Sequence, residues 1–102
     1  MNIRINNIDY TLKYTIRALF IFEQITNKTF EIKNVTDTYI FLYSIILANN
    51  ANCMLTFTDL IDACDEDNTI MQQFNEFLIT NSEKNKLFNS NDNDDDVSKK
   101  KD

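Results

Sequence analysis

The apolar positions of this chain first alternate with polar ones and later recur with a helical period. Ile3 and Ile5 alternate with polar residues, Asn6 and Asn7 follow, and the alternation resumes at Ile8. Asn tolerates the positive φ of a tight hairpin turn, so this pattern predicts an N-terminal β-hairpin. A two-stranded hairpin is marginal by itself and must pack against another element.

The next segment has the pattern of an amphipathic helix from about Ile16 to Thr26, with Thr15 as its N-cap. Asn27 follows where a helix-ending residue with left-handed backbone is expected, because Asn commonly replaces Gly there. Phe20 lies nearer the polar side of this helix. The apolar side is expected to carry Ala18, Leu19, Phe22 and Ile25.

The longest apolar run, residues 39–48, predicts a second helix that starts at Thr36 or Asp37 and ends at residues 49–50. A buried strand is the rival interpretation because the run is rich in aromatic residues and Ile, but its length and its polar ends favour a helix. A helix that is apolar on all sides is either central in the fold or presents one side to a partner.

Two further helices are predicted after the second one. Thr56 and Asp59 form a near capping box, in which Asp replaces the usual Glu or Gln. Asp67 or Asn68 can cap the last helix. The apolar stripes are Phe57, Leu60, Ile61 and Cys64 in the first of these helices, and Ile70, Phe74, Phe77 and Leu78 in the second.

Together these elements predict an α+β fold over residues 1–82, with the hairpin packed on a small bundle of three to four helices. Residues 83–102 contain only Leu87, Phe88 and Val97 as large apolar groups, among Asn, Ser, Asp and Lys. Such a segment buries too little to offset its ordering entropy, so we expect a disordered, acidic and Lys-containing tail. A domain this small is marginal and gains from a partner or from weak self-association.

The composition disfavours an enzyme, a cofactor site and a metal site. His and Gly are both absent, which removes the usual general base and any Gly-rich phosphate loop. The acidic residues do not match the ligand spacing of a calcium-binding loop. We therefore assign no catalytic, cofactor-binding or metal-binding residue. Cys53 and Cys64 are expected to be free thiols, as in a reducing cytoplasm.

Three further classes are disfavoured by charge and hydropathy. The net charge of −6 argues against nucleic-acid binding, because phosphate contacts need a basic patch. The apolar run at residues 39–48 is too short to span a membrane, which takes about 20 residues. Arg4 and Asp9 interrupt the N-terminal segment, so we expect no signal peptide.

The charge distribution instead predicts a protein-binding surface. No Lys or Arg occurs between Lys33 and Lys84, a stretch that contains the apolar run and most of the acids before the tail. The acids of the third helix form either a solvated face or a docking patch. Tyr39 and Tyr43, one turn apart in the second helix, lie either in the core or in an interface. The candidate partner-binding residues are Phe20, Tyr39, Tyr43, Asp62, Asp65 and Glu66.

Residues 3–28 resemble the opening of the tail assembly chaperones of tailed bacteriophages. In that family a small hairpin precedes a helix that carries an Arg, then a hydrophobic–Glu pair and a Thr-Gly-Lys-like exit. The matching residues are Arg17, Phe22 with Glu23, and residues 26–28, with Asn27 where Gly is common. Residues 55–66 are similar to the acidic helix that follows the apolar one in such proteins, and the resemblance extends over about residues 1–80.

The resemblance implies a non-enzymatic chaperone. Such proteins bind the tape measure protein, and sometimes tail tube subunits, in the host cytoplasm before the tail polymerises. They are absent from the mature virion. Two alternatives stay open: an acidic inhibitor of the anti-restriction type that mimics nucleic acid, and a minor structural component of a phage or tail-like particle.

Deleting Asn89 to Asp102 should leave the melting temperature almost unchanged, because these residues are expected to bury little surface. Thermal unfolding of the shortened and full-length chains measures the difference. A fall of more than about 5 °C, roughly 1 kcal/mol for a domain of this size, would show that the segment is structural.

Overall fold

The computed structural model describes the backbone of residues 1–89 and the side chains of residues 1–81. Within residues 1–89 the hairpin and four helices confirm the predicted α+β fold. The predicted boundary at residue 82 falls within the last helix, and the rest of the predicted tail, residues 90–102, lies outside the described residues. The elements are β1 Asn2–Ile5, β2 Ile8–Thr11, α1 Ile16–Thr26, α2 Val35–Asn49, α3 Phe57–Glu66 and α4 Thr69–Asn89.

The hairpin forms as the alternation predicted. Asn6 and Asn7 have φ values of 53° and 67°, the left-handed conformation that a two-residue turn of this kind requires at both positions. Ile3 lies opposite Tyr10 in the antiparallel ladder, and both side chains are buried together with Ile5. One face of the hairpin therefore belongs to the core.

Helix α1 begins and ends at the predicted residues. The Thr15 hydroxyl accepts a hydrogen bond from the Ala18 N–H at 3.2 Å, and Asn27 ends the helix with φ 57° and ψ 36°. The apolar side is narrower than expected: Phe22 is fully buried, whereas Ile25 is 45% exposed. A strip of α1 that the sequence assigned to the core is thus open to solvent.

Helix α2 is central in the fold, because its Phe41 packs against four aromatic rings from other parts of the chain. The Phe41 ring lies with its centroid 4.9 to 6.2 Å from the rings of Tyr14, Phe22, Phe30 and Phe74. These rings come from the exit of the hairpin, α1, the α1–α2 loop and α4. The helical interpretation of the apolar run is confirmed, and its central position accounts for apolar residues on every side.

The start of α2 differs slightly from the prediction. The helix begins at Val35, one residue before Thr36, because Asn34 is its N-cap. The Asn34 side-chain oxygen accepts a hydrogen bond from the Asp37 N–H at 2.8 Å. Asp37 therefore lies in the first turn, where its carboxylate accepts hydrogen bonds from the Lys28 ammonium and the Lys33 N–H.

Two Asn side chains at the end of α2 attach the hairpin to the helix. Asn50 Oδ1 accepts a hydrogen bond from the Thr11 N–H at 2.9 Å, and Asn50 Nδ2 donates to the Thr11 carbonyl at 3.0 Å and to the Ile46 carbonyl at 2.8 Å. Asn49 Nδ2 donates to the Lys13 carbonyl at 2.9 Å. The amide of Asn50 thus pairs with the edge of β2 as a neighbouring strand would.

Helices α3 and α4 pack with the predicted stripes toward the core. The Thr56 hydroxyl accepts from the Asp59 N–H at 3.0 Å and the Asp59 carboxylate accepts from the Thr56 N–H at 3.3 Å, so the capping box is confirmed. Leu60, Phe74 and Phe77 are buried. The other stripe residues are buried or half-buried, and the half-buried ones are Phe57, Ile61 and Leu78.

Replacing Asn50 with Ala should lower the free energy of unfolding by about 1–3 kcal/mol, because both backbone groups of Thr11 lose a partly buried hydrogen-bond partner. Urea unfolding measures the change. Asn75→Ala is the matched control, since Asn75 is exposed on α4; it should change the stability by less than about 0.5 kcal/mol. Equal unfolding midpoints for the two variants would contradict the role of Asn50.

Candidate partner-binding groove

A groove of about 270 Å³ runs between α2 and α3. It brings the N-terminal turns of the apolar helix next to the length of the acidic helix. We name it the α2–α3 groove. Its lining residues are Val35, Thr36, Tyr39, Phe57, Ile61 and Asp65.

The α3 side of the groove changes from apolar to acidic along the helix. Phe57, Ile61 and Asp65 follow one another at four-residue spacing, so they lie in one row on the same face. The row is about 12 Å long, given the rise of an α-helix. Phe57 and Ile61 are half-buried and Asp65 is exposed, so the row offers apolar surface at one end and a carboxylate at the other.

The α2 side of the groove consists of residues in the first turns of that helix. Val35 is 73% exposed, slightly more than Ile16 on α1 and Ile79 on α4. Tyr39 is half-buried and packs against the core. The wall is therefore apolar and accessible, and its position depends on what holds the N-terminus of α2.

The Asp37 carboxylate holds that N-terminus in place. It is 3% exposed as a residue and accepts hydrogen bonds at 3.0 Å from the Lys33 N–H and from the ammonium of Lys28. The Lys33 N–H, then the Lys28 side chain, keep the pKa of Asp37 below its ordinary value. Because Lys28 immediately follows Asn27, the C-cap of α1, this ion pair joins the end of α1 to the start of α2.

Among residues 1–81, Asp65 and Glu66 at the end of α3 have no ion-pair partner. Among residues 1–81, the ion pairs are Arg4 with Asp9, Lys28 with Asp37 and Lys33 with Glu31, and none involves α3. A helix C-terminus carries a partial negative charge, which disfavours further acids there. The last turn of α3 nevertheless contains Asp65 and Glu66. Asp67 at the C-cap is compensated, because the N–H and hydroxyl of Thr69 at the start of α4 donate to its carboxylate and lower its pKa.

The negative potential at this end of α3 also affects the neighbouring thiol. Burial raises the pKa of Cys64 to about 11, and the charges of Asp65 and Asp67 contribute to the rise. The thiol is thus neutral at physiological pH and a poor nucleophile. Cys53 and Cys64 are both free, as predicted.

The structure brings together only two of the six predicted partner-binding residues. Tyr39 and Asp65 line the α2–α3 groove, on opposite sides of it. Tyr43 has a structural role, because its hydroxyl donates to the Leu55 carbonyl at 2.9 Å and its ring packs edge-on against Phe57.

The other three predicted residues are exposed but do not line the groove. Asp62 and Glu66 lie on the solvent side of α3, adjacent in sequence to residues of the groove wall. Phe20 is 60% exposed on α1. Participation of all six in partner binding stays a prediction.

Sequence reasoning missed four groove residues. Phe57 and Ile61 were assigned to the core because they share an apolar stripe with Leu60 and Cys64. Their four-residue spacing with Asp65 was the available signal, since it places them at the border of that stripe. Val35 was missed because the helix was expected to start at Thr36 or Asp37, and Thr36 was considered only as a possible helix start. Recognising Asn34 as the N-cap would have placed both residues in the first turn.

A larger cleft, of about 470 Å³, lies between the exit of the hairpin and α4. Lys13 and Glu76 both line it, so it has no single charge preference. In the described part of the chain its walls include none of the predicted partner-binding residues. The α2–α3 groove is therefore the better candidate.

No family model, curated protein or solved structure matches this chain. Within residues 1–89, none of the helices combines the length and the apolar character that crossing a membrane requires. Nor do the described residues gather three or more Cys, Asp or Glu side chains that would hold a metal ion. The functional interpretation therefore depends on the shape and charge of the groove and on the family resemblance.

Asp37→Asn should destabilise the domain at neutral pH, because it leaves the Lys28 ammonium without its charge partner. The folded-state pKa of Asp37 lies below its ordinary value of 3.8, so the stabilisation is present above that value and is lost as the pH falls through the lowered one. Thermal unfolding measured from about pH 7 downward should show that the difference in melting temperature between the parent protein and the variant becomes smaller in acid.

The matched control for this experiment is Asp62→Asn, which changes an exposed carboxylate of α3. It should leave the melting temperature close to that of the parent protein across the same pH range. If the difference in melting temperature between Asp37→Asn and the parent protein stays constant into acid, the charge of the Asp37 carboxylate does not contribute to stability.

Proposed function

We propose that this chain is a non-enzymatic tail assembly chaperone that binds a tape measure protein, and sometimes tail tube subunits, before the tail polymerises. The observation that carries the proposal is the α2–α3 groove, in which accessible apolar side chains border the Asp65 carboxylate, which forms no ion pair within residues 1–81. It acts in the host cytoplasm and is absent from the mature virion.

The shape of the groove suits a helical partner. Its volume of about 270 Å³ is below the 300–1,000 Å³ typical of small-molecule sites, and it is an open groove between two helices. Grooves of this kind receive the apolar face of an amphipathic helix. A tape measure protein is long and helical, with apolar stripes that are unpaired until the tail is built.

The small size of the groove suits release as well as capture. A contact over two turns of α3 buries far less than the roughly 1,200 Å² at which stable interfaces begin, so each contact is weak. The exposed acids of α3, which form no ion pair within residues 1–81, accelerate the encounter with basic segments and add little to the lifetime of the complex. A chaperone that must give up its client to the growing tail needs that combination.

The order of the elements adds support. The hairpin, the Arg-bearing helix, the apolar helix and the acidic helix follow one another in the structure as they do in the resemblance to tail assembly chaperones. The neutral, buried thiol of Cys64 is consistent with a binding role for the acidic helix rather than a chemical one.

Co-expression with the long helical protein of the same phage tests the proposal. That protein should be soluble and co-purify with this chain, and should aggregate when expressed alone. Capture should weaken as salt is raised from about 50 to 500 mM, because screening removes the contribution of the acids. Purified particles should lack this chain.

Three outcomes would overturn the proposal. The first is a tape measure protein that stays insoluble or unbound in the presence of this chain. The second is specific binding to a nuclease, which would favour an inhibitor that mimics nucleic acid. The third is a stoichiometric amount of this chain in purified particles, which would favour a structural component.

A further inference from the structure

We propose that the α2–α3 groove receives the first turns of a partner helix that lies antiparallel to α3. The first turn of that helix carries a Lys or Arg, which faces Asp65. Apolar residues four and eight positions later face Ile61 and Phe57. The inference rests on the proposed function, because it specifies the segment of a partner that this same groove would hold.

The row on α3 determines the pattern that a partner must match. Phe57 and Ile61 are half-buried and Asp65 is exposed, so two apolar side chains precede one carboxylate at four-residue spacing. Helices pack side by side through rows of this kind. The complementary row has two apolar side chains, which lose contact with water on binding, and one basic side chain.

The basic side chain has to come from outside the part of this chain whose side chains are described, residues 1–81. Asp65 and Glu66 form no ion pair there, and Lys28 and Lys33 are already paired with acids that precede α3. No further Lys or Arg follows until Lys84. The two carboxylates lie at the negative end of α3, so a cation bound there is attracted by both charges and by the helix dipole.

The same charges determine the direction of the partner helix. The N-terminal end of a helix carries a partial positive charge, whose effect is confined to the first turn. A partner helix that begins beside Asp65 and runs toward Phe57 brings this positive end to the carboxylates. The opposite direction would bring a negative helix end to Asp65 and Glu66.

The start of α2 does not offset this preference. Tyr43 packs against Phe57, so the apolar end of the row lies beside the middle of α2, and Val35 lines the groove from the first turn. The positive end of α2 is compensated by Asp37, whose carboxylate accepts a hydrogen bond from the Lys33 N–H. The carboxylates of α3 therefore dominate the charge around the groove.

The Lys residues near the C-terminus of the same chain are less suitable for the groove. Helix α4 starts next to the end of α3 and has 21 residues, so its own end is about 30 Å away. Lys99 follows Asn89 by ten positions, and ten residues reach that far only when almost fully extended. A helix of another protein meets no such restriction.

Binding of synthetic helical peptides of about 20 residues to the full chain tests the inference. The first peptide carries Lys in its first turn and Leu four and eight positions later. The second carries Glu in place of that Lys, and the third carries the three residues in the opposite order. Fluorescence anisotropy at protein concentrations up to about 1 mM measures the dissociation constants.

The first peptide should bind most tightly. It should bind about tenfold more tightly than the second, because Glu meets a like charge at Asp65. It should bind about two- to fivefold more tightly than the third, because only the first can place its Lys beside Asp65 and also bring its positive helix end there.

A nitroxide spin label near either end of the first peptide determines its direction in the groove. The label near the N-terminus should broaden the backbone amide NMR signals of Asp65 and Glu66 more than that of Phe57. The label near the C-terminus should do the reverse. The opposite pattern, or equal broadening from both ends, would overturn the antiparallel arrangement.

Asp65→Lys should exchange the preference between the first two peptides, because the variant repels Lys and attracts Glu. The matched control is Glu76→Lys, which reverses an exposed acid outside the groove and should bind all three peptides like the parent protein. Both substituted residues are exposed, and circular dichroism verifies that the variants fold. A loss of binding in Glu76→Lys would place the peptide in the larger cleft beside α4 and overturn the inference.

Failure of this inference is distinguishable from failure of the proposed function. Equal affinities for the three peptides, or a preference that Asp65→Lys leaves unchanged, would overturn the inference even if the tape measure protein still co-purifies with this chain. A tape measure protein that stays unbound on co-expression would overturn the proposed function itself. Peptide binding that appears only after residues 90–102 are deleted, or only when copies of this chain are dissociated by dilution, would assign the groove to the chain's own C-terminal segment or to a second copy, and would likewise overturn the inference.

Discussion

The enclosure of Phe41 is the constraint on which the rest of this structure depends. Its ring contacts four others that come from four separate segments of the chain. Aromatic pairs in these tilted and edge-on arrangements each contribute about 0.5–1.5 kcal/mol beyond the burial of their surface. Helix α2 must therefore lie in the middle, and the hairpin, α1, α3 and α4 are arranged around it.

A chain without Gly needs another residue for its tight turns, and here that residue is Asn. Within residues 1–89 every backbone position with positive φ is an Asn: Asn6, Asn7, Asn27 and Asn52. Asn accepts this conformation because its short polar side chain bonds locally. The side chains of Asn34, Asn49 and Asn50 then add caps and tethers, so one residue type supplies turns, a helix start and the attachment of the hairpin to α2.

Among residues 1–81, acids without an ion-pair partner are concentrated at the C-terminal end of α3. The ion pairs among residues 1–81 all lie before Thr38, whereas Asp65 and Glu66 lie at the negative end of α3 without a cation nearby in sequence. Asp67 is different, because its carboxylate accepts hydrogen bonds from the N–H and the hydroxyl of Thr69. Natural sequences depart from local preferences mainly at functional sites. Of these acids, Asp65 borders the accessible groove beside Val35 and Tyr39, which is the physical reason for proposing that this surface binds a partner.

The amino-acid sequence by itself determined the features that depend on neighbours along the chain. The hairpin turn at Asn6 and Asn7, the bounds of α1 and the capping box of α3 follow from local hydrogen bonds and backbone preferences, and all were predictable. Only the tertiary structure decided which apolar residues stay accessible. Ile25, Phe57 and Ile61 belong to regular apolar stripes, and their exposure depends on how wide a strip each neighbouring helix covers. The pairing of Asn50 with Thr11, 39 positions apart, likewise arises from the packing of α2 on the hairpin, which no local pattern encodes.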